Sequence, residues 1–346
     1  MNLKQRLLLF LVLFFVPIFF IWVFQDKFLV FRGETMGTTY TIKVYVDSWR
    51  SKTSLEKQIL QKLDSINRTF STWDENSELS KFNTTKSTDF VDASPELIDV
   101  LKASNTVYEL SKGAFDPSMK PLFDLWGFGT KTIYYEIPSD DDINNVYDYV
   151  GFNKLVINDT QLQKSHSNFS LNLSSIVKGY SVDQIVEILT DIGISRYMVE
   201  IGGEVRVGSS KKESNWNIGI LNPQYIKLDN ELLLTLNLKN ESIATSGDYK
   251  NYFEKDNIIF SHLFDPRVGK PISNNIASVT VIAPNCMLAD ALATALSVIG
   301  INRGLSIVES YKGVECLFVL RDKDNSLKAF SSSGFSKFVL SSEINI

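Results

Sequence analysis

The sequence predicts an α+β fold of two interleaved halves that follows one N-terminal transmembrane helix. Three observations lead to this prediction. Segments with the two-residue period of strands and segments with the spacing of amphipathic helices are intermixed, without the regular strand–helix alternation of a doubly wound sheet. The composition, 44% hydrophobic and 22% charged over 346 residues, is that of a folded globular protein. A long apolar run lies near the N-terminus.

The apolar run extends from Leu7 to Phe24 without a charged residue and follows Lys4 and Arg6. It is just long enough to cross the hydrocarbon layer of a membrane. A cleavable signal peptide needs small residues near its end, and the first Ala, Gly or Ser of the chain is Gly33. The run therefore predicts an uncleaved signal anchor. The alternative is a removed signal peptide with an unusual cleavage site.

The basic residues before the run place the N-terminus in the cytoplasm and the body of the chain outside. We therefore expect a single-pass protein of the bacterial inner membrane whose folded domain faces the periplasm. The predicted anchor covers residues 1–30 and the predicted domain covers residues 31–346. Residues 25–33 have the character of a linker between them.

Alternating, β-branched or short continuous apolar segments predict the strands. The first, Thr38–Val46, alternates throughout and is rich in Thr and Val. The other predicted strands are Leu155–Asn158, Phe169–Leu173, Tyr197–Ile201, Trp216–Ile220, Leu232–Leu238, Asn257–Phe264, Ala277–Ala283 and Val314–Leu320.

Apolar residues at helical spacing and capping residues predict the helices. Ser94 is placed as the N-cap of a helix that begins at Pro95 and ends before Gly113. The acidic cluster after Ser139 is interpreted as the first turn of a capped helix and not as a metal site. The remaining predicted helices cover Ser54–Asn67, Ser174 or Ser175 to Thr190, and Ala289–Leu296.

Several classes of function are disfavoured by what the sequence contains. The net charge is -5 and no Lys/Arg cluster stands out, so nucleic acid is not expected as a partner. No dinucleotide fingerprint, phosphate-loop motif or nucleophile elbow is present. With two His and two Cys, any metal is expected to be a hard one on oxygen ligands, magnesium above calcium. Cys286 and Cys316 either pair or remain free and buried.

Four residues stand out as candidates for chemistry. Asp290 and Thr294 lie four residues apart on a predicted helix and offer two hard oxygens on one face, although a helix cap and a back-bonded Thr are the plain alternative. His262 ends an apolar strand where the chain turns, which suits proton transfer, and a core histidine is the alternative. Trp73 is either a core residue or a platform for a flat ring.

A set of short segments resembles the ApbE family of FAD:protein FMN transferases, in order and spacing, from about residue 31 to the C-terminus. The segments are Gly33–Tyr40, Ser71–Trp73 with Ser77–Asn83, Gly113–Pro117 with Leu125–Gly129, Leu173–Tyr180, Val199–Glu204, Ser246–Tyr249, His262–Pro271 and Ala289–Leu296. Each segment is a weak signal alone, and the ordered set is specific.

The resemblance implies an ApbE-like (T-fold-like) body that transfers the FMN half of FAD to a Ser or Thr of a membrane redox protein and releases AMP. It implies an essential Mg²⁺ held by the Asp290 and Thr294 side chains and the Ser175 carbonyl, with His262 assisting catalysis. The implied FAD contacts are Met36, Trp73, Ala114, Phe115, Asp116, Asn172, Lys178 and Phe264.

The implied acceptor carries an Asp-x-x-Ser/Thr-Gly-Ala-Ser/Thr motif, as in subunits of sodium-pumping quinone reductases and related electron-transfer complexes. This chain departs from the family at Asn172, where Asp is usual, and at Trp73, where Tyr is usual. An FAD pyrophosphatase, which would use water in place of a protein hydroxyl, and a flavin-binding module without turnover are the alternative functions.

Overall fold

The computed structural model describes Gln5 and residues 26–129, 137–210, 214–223, 231–248, 252–255, 258–261 and 263–346. The apolar run Leu7–Phe24, predicted as a transmembrane helix, and the candidate His262 lie outside the described residues. Within those ranges, none of the helices combines the length and the apolar character needed to span a bilayer.

A central sheet of eight antiparallel strands organises the described part of the chain. Neighbouring strands follow one another in chain order, so the prediction of two interleaved halves is wrong for the sheet, and helices and small sheets are inserted between its strands. In spatial order the strands are β1 (Asp26–Thr35), β2 (Thr38–Asp47), β6 (Tyr197–Ile201), β7 (Glu204–Val207), β10 (Ser242–Gly247), β15 (Ile276–Ala283), β16 (Glu315–Arg321) and β17 (Leu327–Ser331).

Smaller antiparallel sheets surround the central one. Two of them have three strands and two have two strands among the described residues. Their members are β3 (Val91–Asp92), β5 (Gln161–Lys164) and β4 (Leu155–Ile157); β18 (Val339–Ser342), β9 (Leu232–Leu238) and β8 (Trp216–Leu221); β11 (Tyr252–Lys255) and β12 (Ile258–Ser261); and β13 (Phe264–Asp265) and β14 (Lys270–Pro271).

The helices lie in the insertions between strands. They are α1 (Lys52–Phe70), α2 (Glu78–Thr84), α3 (Pro95–Ser111), α4 (Lys120–Leu125), α5 (Asp140–Tyr147), α6 (Val177–Asp191), α7 (Cys286–Ile299) and α8 (Ile301–Ser310). Helices α1, α6 and α7 pack on one face of the central sheet, and the sheet of β8, β9 and β18 covers the other. Strand β15 is therefore buried on both faces, so all eight of its residues are buried, including Ser278 and Thr280, and its burial does not alternate.

Local sequence signals set several helix ends as predicted. The Ser94 hydroxyl accepts the Leu97 N–H at the start of α3, and Gly113 follows the helix with a φ of 78°. Ser139 and Asp142 form a reciprocal capping box at the start of α5, which confirms that the acidic cluster is a helix start.

Three boundary predictions are wrong. Residues 26–33, predicted as linker, belong to β1, whose Leu29 and Phe31 are buried against α1. Residues 169–173 form no strand, because the side chain of Asn83 takes the place of a neighbouring strand on the backbone of Leu171. Helix α6 begins at Val177, later than predicted, because the chain before it forms a loop.

Both cysteines are free and buried in the described structure. Burial raises the pKa of the Cys316 thiol to about 12 and raises the pKa of Cys286 well above its usual value. Both side chains therefore act as small apolar core residues.

Candidate active site

One cavity of about 450 Å³ brings together the predicted site residues that the structure describes. Residues of α1, α6 and α7 contribute to its lining. The predicted residues that line it are Met36, Trp73, Ala114, Phe115, Asp116, Asn172, Ser175, Lys178, Phe264, Asp290 and Thr294.

Met36 reaches the cavity from the tight turn between β1 and β2. Met36 and Gly37 both have positive φ, 50° and 71°, which is the backbone of a two-residue hairpin turn with the twist of its strands. A non-glycine residue pays conformational strain in this region, so the sharp turn holds Met36 at the cavity wall. The Met36 sulfur lies 3.5 Å from the Ser181 hydroxyl of α6.

Asp290 lies in the second turn of α7 with only 4% of its surface exposed. Its Oδ2 accepts the N–H of Gly179 on α6 at 3.0 Å. Helix α7 is capped by Asn285, whose side chain accepts the Leu288 N–H, so the alternative that Asp290 is the cap is wrong. Thr294 follows one turn later and also lines the cavity.

Lys178 lies between two carboxylates at the inner end of the cavity. Its Nζ is 3.7 Å from Asp290 Oδ1 and 3.5 Å from Glu204 Oε1, and it donates to the Ser174 carbonyl at 3.0 Å. Burial lowers the pKa of Lys178, but the charges of Asp290 and Glu204 outweigh it, so the net pKa is raised and the side chain is a cation.

Glu204 is a site residue that the sequence analysis did not single out. It is 3% exposed and lines the cavity at the start of β7. The sequence signal for it is the pair Gly202 and Gly203, which directly precedes Glu204 at the end of the family-like segment Val199–Glu204. A Cβ on Gly202 would approach both Lys178 and the Glu204 carboxylate, so the glycine allows these side chains to meet there.

The loop before α6 supplies Asn172 and Ser175. The Asn172 N–H donates to the Pro117 carbonyl at 2.7 Å, and its side-chain oxygen accepts the Ser174 N–H at 3.0 Å. This Asx-type turn holds the loop across the cavity wall. At position 172, Asn can accept this bond as the Asp usual in the family would, without adding a negative charge.

Asp116 and its neighbours form a rigid part of the wall. Asp116 accepts hydrogen bonds from the Ser118 N–H at 2.7 Å and from the Phe152 N–H at 3.2 Å. Burial raises the pKa of Asp116, and these hydrogen bonds offset the shift only in part. Its carboxylate is therefore engaged in holding the turn, and Ala114 and Phe115 are almost fully buried beside it.

Two of the predicted aromatic contacts have opposite environments. Trp73 is 77% exposed at the edge of the cavity, so the core alternative is wrong. Phe264 is only 4% exposed and packs edge-on against Phe123, Trp126 and Phe128. Phe264 is therefore part of the wall, whereas Trp73 is free to meet a ligand ring.

The donor set at the inner end fits a hard divalent cation. It comprises a buried carboxylate at Asp290, the hydroxyl of Thr294 and the backbone of Ser175, all on one cavity. The described ranges hold no group of three or more His, Cys, Asp or Glu side chains placed for a metal, so a site built from those ligands alone is not found there.

The fold and the site define a protein with one cavity of about 450 Å³, whose lining combines several aromatic side chains with a lysine that lies between two carboxylates. A model described as the ApbE family matches residues 36–318. The chain belongs to the ApbE family, as the sequence resemblance implied.

Relatives with curated names are similar over most of their length. The FAD:protein FMN transferase of Vibrio cholerae serotype O1 is 36% identical over 309 residues, which is 89% of this chain and 91% of that protein. The FAD:protein FMN transferase of Haemophilus influenzae is 34% identical over 328 residues, which is 92% of this chain and 94% of that protein.

Solved structures agree with this relationship. The flavin transferase ApbE from Vibrio cholerae has a TM-score of 0.82 at 34% identity and covers 91% of this chain and 100% of that one. The apo form of the flavinyl transferase ApbE from Pseudomonas stutzeri has a TM-score of 0.82 at 33% identity, and the match covers 91% of this chain and 98% of that one. The mixed α and β fold implied by the resemblance is thereby confirmed.

Proposed function

We propose that this chain is an FAD:protein FMN transferase, which moves FMN from FAD to a Ser or Thr hydroxyl of an acceptor protein and releases AMP. The observation that carries the proposal is the meeting of Lys178, Asp290 and Thr294 at the inner end of one cavity that also bears Met36 and Trp73. The names of the relatives support the same reaction.

The cavity suits a flavin dinucleotide in its distribution of charge. Lys178 is a largely buried cation whose ammonium group can face the negatively charged oxygens of the diphosphate. Trp73 at the edge can stack on a flavin or adenine ring. Cleavage of a diphosphate requires neutralisation of the negative charge on its oxygens, and the Lys178 ammonium in the cavity can supply part of that neutralisation.

The proposed step is a displacement at phosphorus. The acceptor hydroxyl oxygen forms a bond to the phosphorus of the FMN half, the bond from that phosphorus to the bridging oxygen breaks, and AMP leaves with that oxygen. The hydroxyl proton passes to a base, a role we propose for His262, acting directly or through Asp265 or water. Support comes from its chain neighbours Leu263 and Phe264, which line the cavity.

We further propose that Asp290, Thr294 and the Ser175 carbonyl hold Mg²⁺. When bound, Mg²⁺ supplies charge neutralisation to phosphate oxygens. The support is the chemistry of the donors, since carboxylate, hydroxyl and carbonyl oxygens are the ligands that Mg²⁺ prefers. The bond from Gly179 to Oδ2 orients the Asp290 carboxylate and leaves Oδ1 toward the cavity and Lys178.

The proposed acceptor is a membrane redox protein with an Asp-x-x-Ser/Thr-Gly-Ala-Ser/Thr motif, such as a quinone reductase subunit. We propose that Leu7–Phe24 anchors the chain in the bacterial inner membrane with the domain in the periplasm. Strand β1 starts at Asp26, just past the run, and ends at the turn that carries Met36. A ten-residue strand spans about 30 Å, so the turn that carries Met36 lies at most about that far from the end of β1 that follows the proposed anchor.

The decisive experiment incubates the full chain with FAD, MgCl₂ and an acceptor protein that carries the motif. Covalent flavin fluorescence on the acceptor, with AMP in equal amount, supports transfer. Free FMN and AMP without labelled acceptor indicate an FAD pyrophosphatase instead. Unchanged FAD with binding alone indicates a flavin-binding module and contradicts the proposal. Omission of the acceptor and addition of EDTA are the controls.

The membrane proposal has its own test. Membranes from cells that express the full chain are washed with alkaline carbonate, and intact cells or spheroplasts are treated with protease. Retention in the membrane fraction and cleavage from the periplasmic side support an anchor with this orientation. Release by carbonate, or a chain that has lost its first residues by mass spectrometry, contradicts it.

A further inference from the structure

Helix α2 does not line the cavity, but polar side chains at and within it form hydrogen bonds to two of the loops that carry site residues. The helix belongs to the segment Ser77–Asn83, which resembles the family without a role that the proposed reaction explains. The polar residues in question are Ser77, Glu78, Ser80 and Asn83, and each has a definite partner.

The N-terminal end of α2 holds the loop that bears Trp73. The hydroxyls of Ser77 and Ser80 both donate to the Ser71 carbonyl, at 2.5 and 3.0 Å. The Ser71 hydroxyl in turn accepts the N–H of Trp73 at 3.2 Å and of Asp74 at 3.0 Å. The backbone under the exposed Trp73 is therefore fixed to α2, although the ring itself is free.

The C-terminal end of α2 holds the loop that bears Asn172 and Ser175. The Asn83 amide accepts the Leu171 N–H at 2.7 Å and donates to the Leu171 carbonyl at 2.9 Å. This pair satisfies both polar groups of a residue whose side chain is fully buried, and it does so directly before Asn172.

Two further contacts keep α2 itself in place. The Glu78 carboxylate accepts the N–H and the hydroxyl of Ser94, the cap of α3, at 2.7 and 2.6 Å. The Lys164 ammonium donates to the Phe82 carbonyl at the end of α2 and to the Phe169 carbonyl. These hydrogen bonds hold α2 in place independently of its bonds to the two loops, so the helix can fix the positions of both.

We propose that α2 is a positioning element, which sets the Trp73 loop and the 172–175 loop at a fixed separation across the cavity, with Ser80 and Asn83 as its positioning residues. The proposal rests on the proposed function, since it assigns the two loops to the ring end and the metal end of FAD. Neither residue contacts the cavity, so each acts only through the loop that it holds.

The two ends of α2 should affect different properties of the reaction. Loosening Leu171 moves the Ser175 carbonyl, so it should raise the Mg²⁺ concentration required for half-maximal activity. Loosening Ser71 moves the Trp73 loop, so it should raise the KM for FAD. A role in stability alone would lower activity in proportion to the folded fraction and leave both quantities unchanged.

The test compares Asn83→Ala and Ser80→Ala with Lys81→Ala, an exposed residue of the same helix whose side chain serves as the matched control. Hydrogen–deuterium exchange is measured on the full chain without ligand, over peptides that cover residues 71–74 and 169–176. Asn83→Ala should speed exchange about tenfold or more in 169–176 and not in 71–74, because the Leu171 N–H loses its acceptor. Ser80→Ala should do the reverse to a smaller extent, since Ser77 still holds the Ser71 carbonyl.

Activity then gives the second readout. Asn83→Ala should raise the Mg²⁺ requirement about tenfold, the scale of losing a supporting residue near a metal, with the KM for FAD less affected. Ser80→Ala should show the opposite pattern. The proposal is overturned if both variants change exchange no more than Lys81→Ala, or if both change Mg²⁺ requirement and KM alike. If Asn83→Ala does not fold, Ser80→Ala, which loses one of two bonds to the same carbonyl, decides.

The outcomes separate this proposal from the proposed function. Exchange needs neither FAD nor an acceptor, so local loosening in the variants supports the positioning role even if the wild-type chain labels no acceptor. Conversely, wild-type transfer with unchanged loop exchange in both variants would keep the reaction and refute the positioning role.

Discussion

The Asp290 carboxylate on α7 accepts the backbone N–H of Gly179 on α6, with 3.0 Å between Oδ2 and the nitrogen. This bond orients the side chain that we propose as a metal ligand, and it joins α6 to α7, two of the three helices that pack on one face of the central sheet. Oδ1 remains on the cavity side, 3.7 Å from the Lys178 ammonium. Asp290 therefore has a packing role in the structure and a proposed metal-binding role, and substitutions can separate the two.

The first prediction concerns the charge of Asp290. Asp290→Asn retains an oxygen that can accept the Gly179 N–H but removes the negative charge. We expect the variant to fold with little change in Tm and to lose Mg²⁺-dependent FMN transfer by about 100-fold or more, at the upper end of losses for groups at a metal site. The measurement is acceptor fluorescence against time, with thermal unfolding of the same samples. Full activity in Asp290→Asn would refute the metal assignment.

The second prediction concerns the helix contact itself. A Cβ on Gly179 would overlap the Cys286 carbonyl, which is backbone and cannot move aside. Gly179→Ala should therefore destabilise the protein by about 1–3 kcal/mol, the usual cost of overpacking. Denaturant unfolding measures it, and Glu187→Ala on the exposed side of α6 is the control, expected to stay within about 0.5 kcal/mol of wild type. An unchanged midpoint for Gly179→Ala would show that the helices are farther apart.

Strong local signals made much of the fold predictable from sequence. The caps at Ser94 and Ser139 depend on neighbouring residues alone, and the structure has them where the sequence indicates. Strand β15 was predictable because apolar residues dominate it, although its burial comes from the elements packed on both faces. Strand β1 was not recognised, because its apolar residues follow the anchor run almost directly. Residues 169–173 looked like a strand, but the partner on their backbone is the Asn83 side chain, a tertiary contact that no period in the sequence records.

The site was predictable to the extent that family motifs mark it. The motif positions converge on one cavity in the described structure, which spacing alone could not establish. The contacts that each side chain makes were less predictable. The Asp116 carboxylate accepts a hydrogen bond from the backbone N–H of Phe152, and Phe264 packs in an aromatic cluster. Glu204 was missed because its approach to Lys178 depends on how β7 lies beside α6, which is a property of the sheet.

The third prediction concerns Trp73 as a ring platform. Because the side chain is 77% exposed, Trp73→Ala should leave Tm unchanged while it removes a stacking partner for FAD. Stacking of a base on an aromatic side chain is worth about 1–3 kcal/mol, so FAD affinity should fall roughly five- to 150-fold. Quenching of flavin fluorescence gives the Kd. Trp49→Ala, which removes a 66% exposed Trp away from the cavity, is the control, and an equal loss in both variants would contradict the stacking role.

The last prediction concerns Lys164, a fully buried lysine whose ammonium donates to the carbonyls of Phe82, Thr85 and Phe169. Burial, with a smaller effect of the Lys86 charge, lowers the pKa of Lys164 to about 8 from 10.5. Between these values the unfolded chain binds a proton that the folded chain has released, so the contribution of Lys164 to the free energy of unfolding rises with pH across that window.

The substitution Lys164→Met removes the titrating group, so between about pH 8 and pH 10 the free energy of unfolding should rise less, or fall more, with pH in the variant than in the wild type. Denaturant unfolding at several pH values measures the slope for each protein. The control is Lys102→Met, which removes the same charge from an exposed ion pair with Asp159 and should keep the wild-type slope. If Lys164→Met and wild type have parallel profiles, the pKa of Lys164 is not lowered in the folded protein. A smaller slope in Lys164→Met than in both the wild type and Lys102→Met would show that the buried amine releases its proton in the folded state below the pKa of a free lysine.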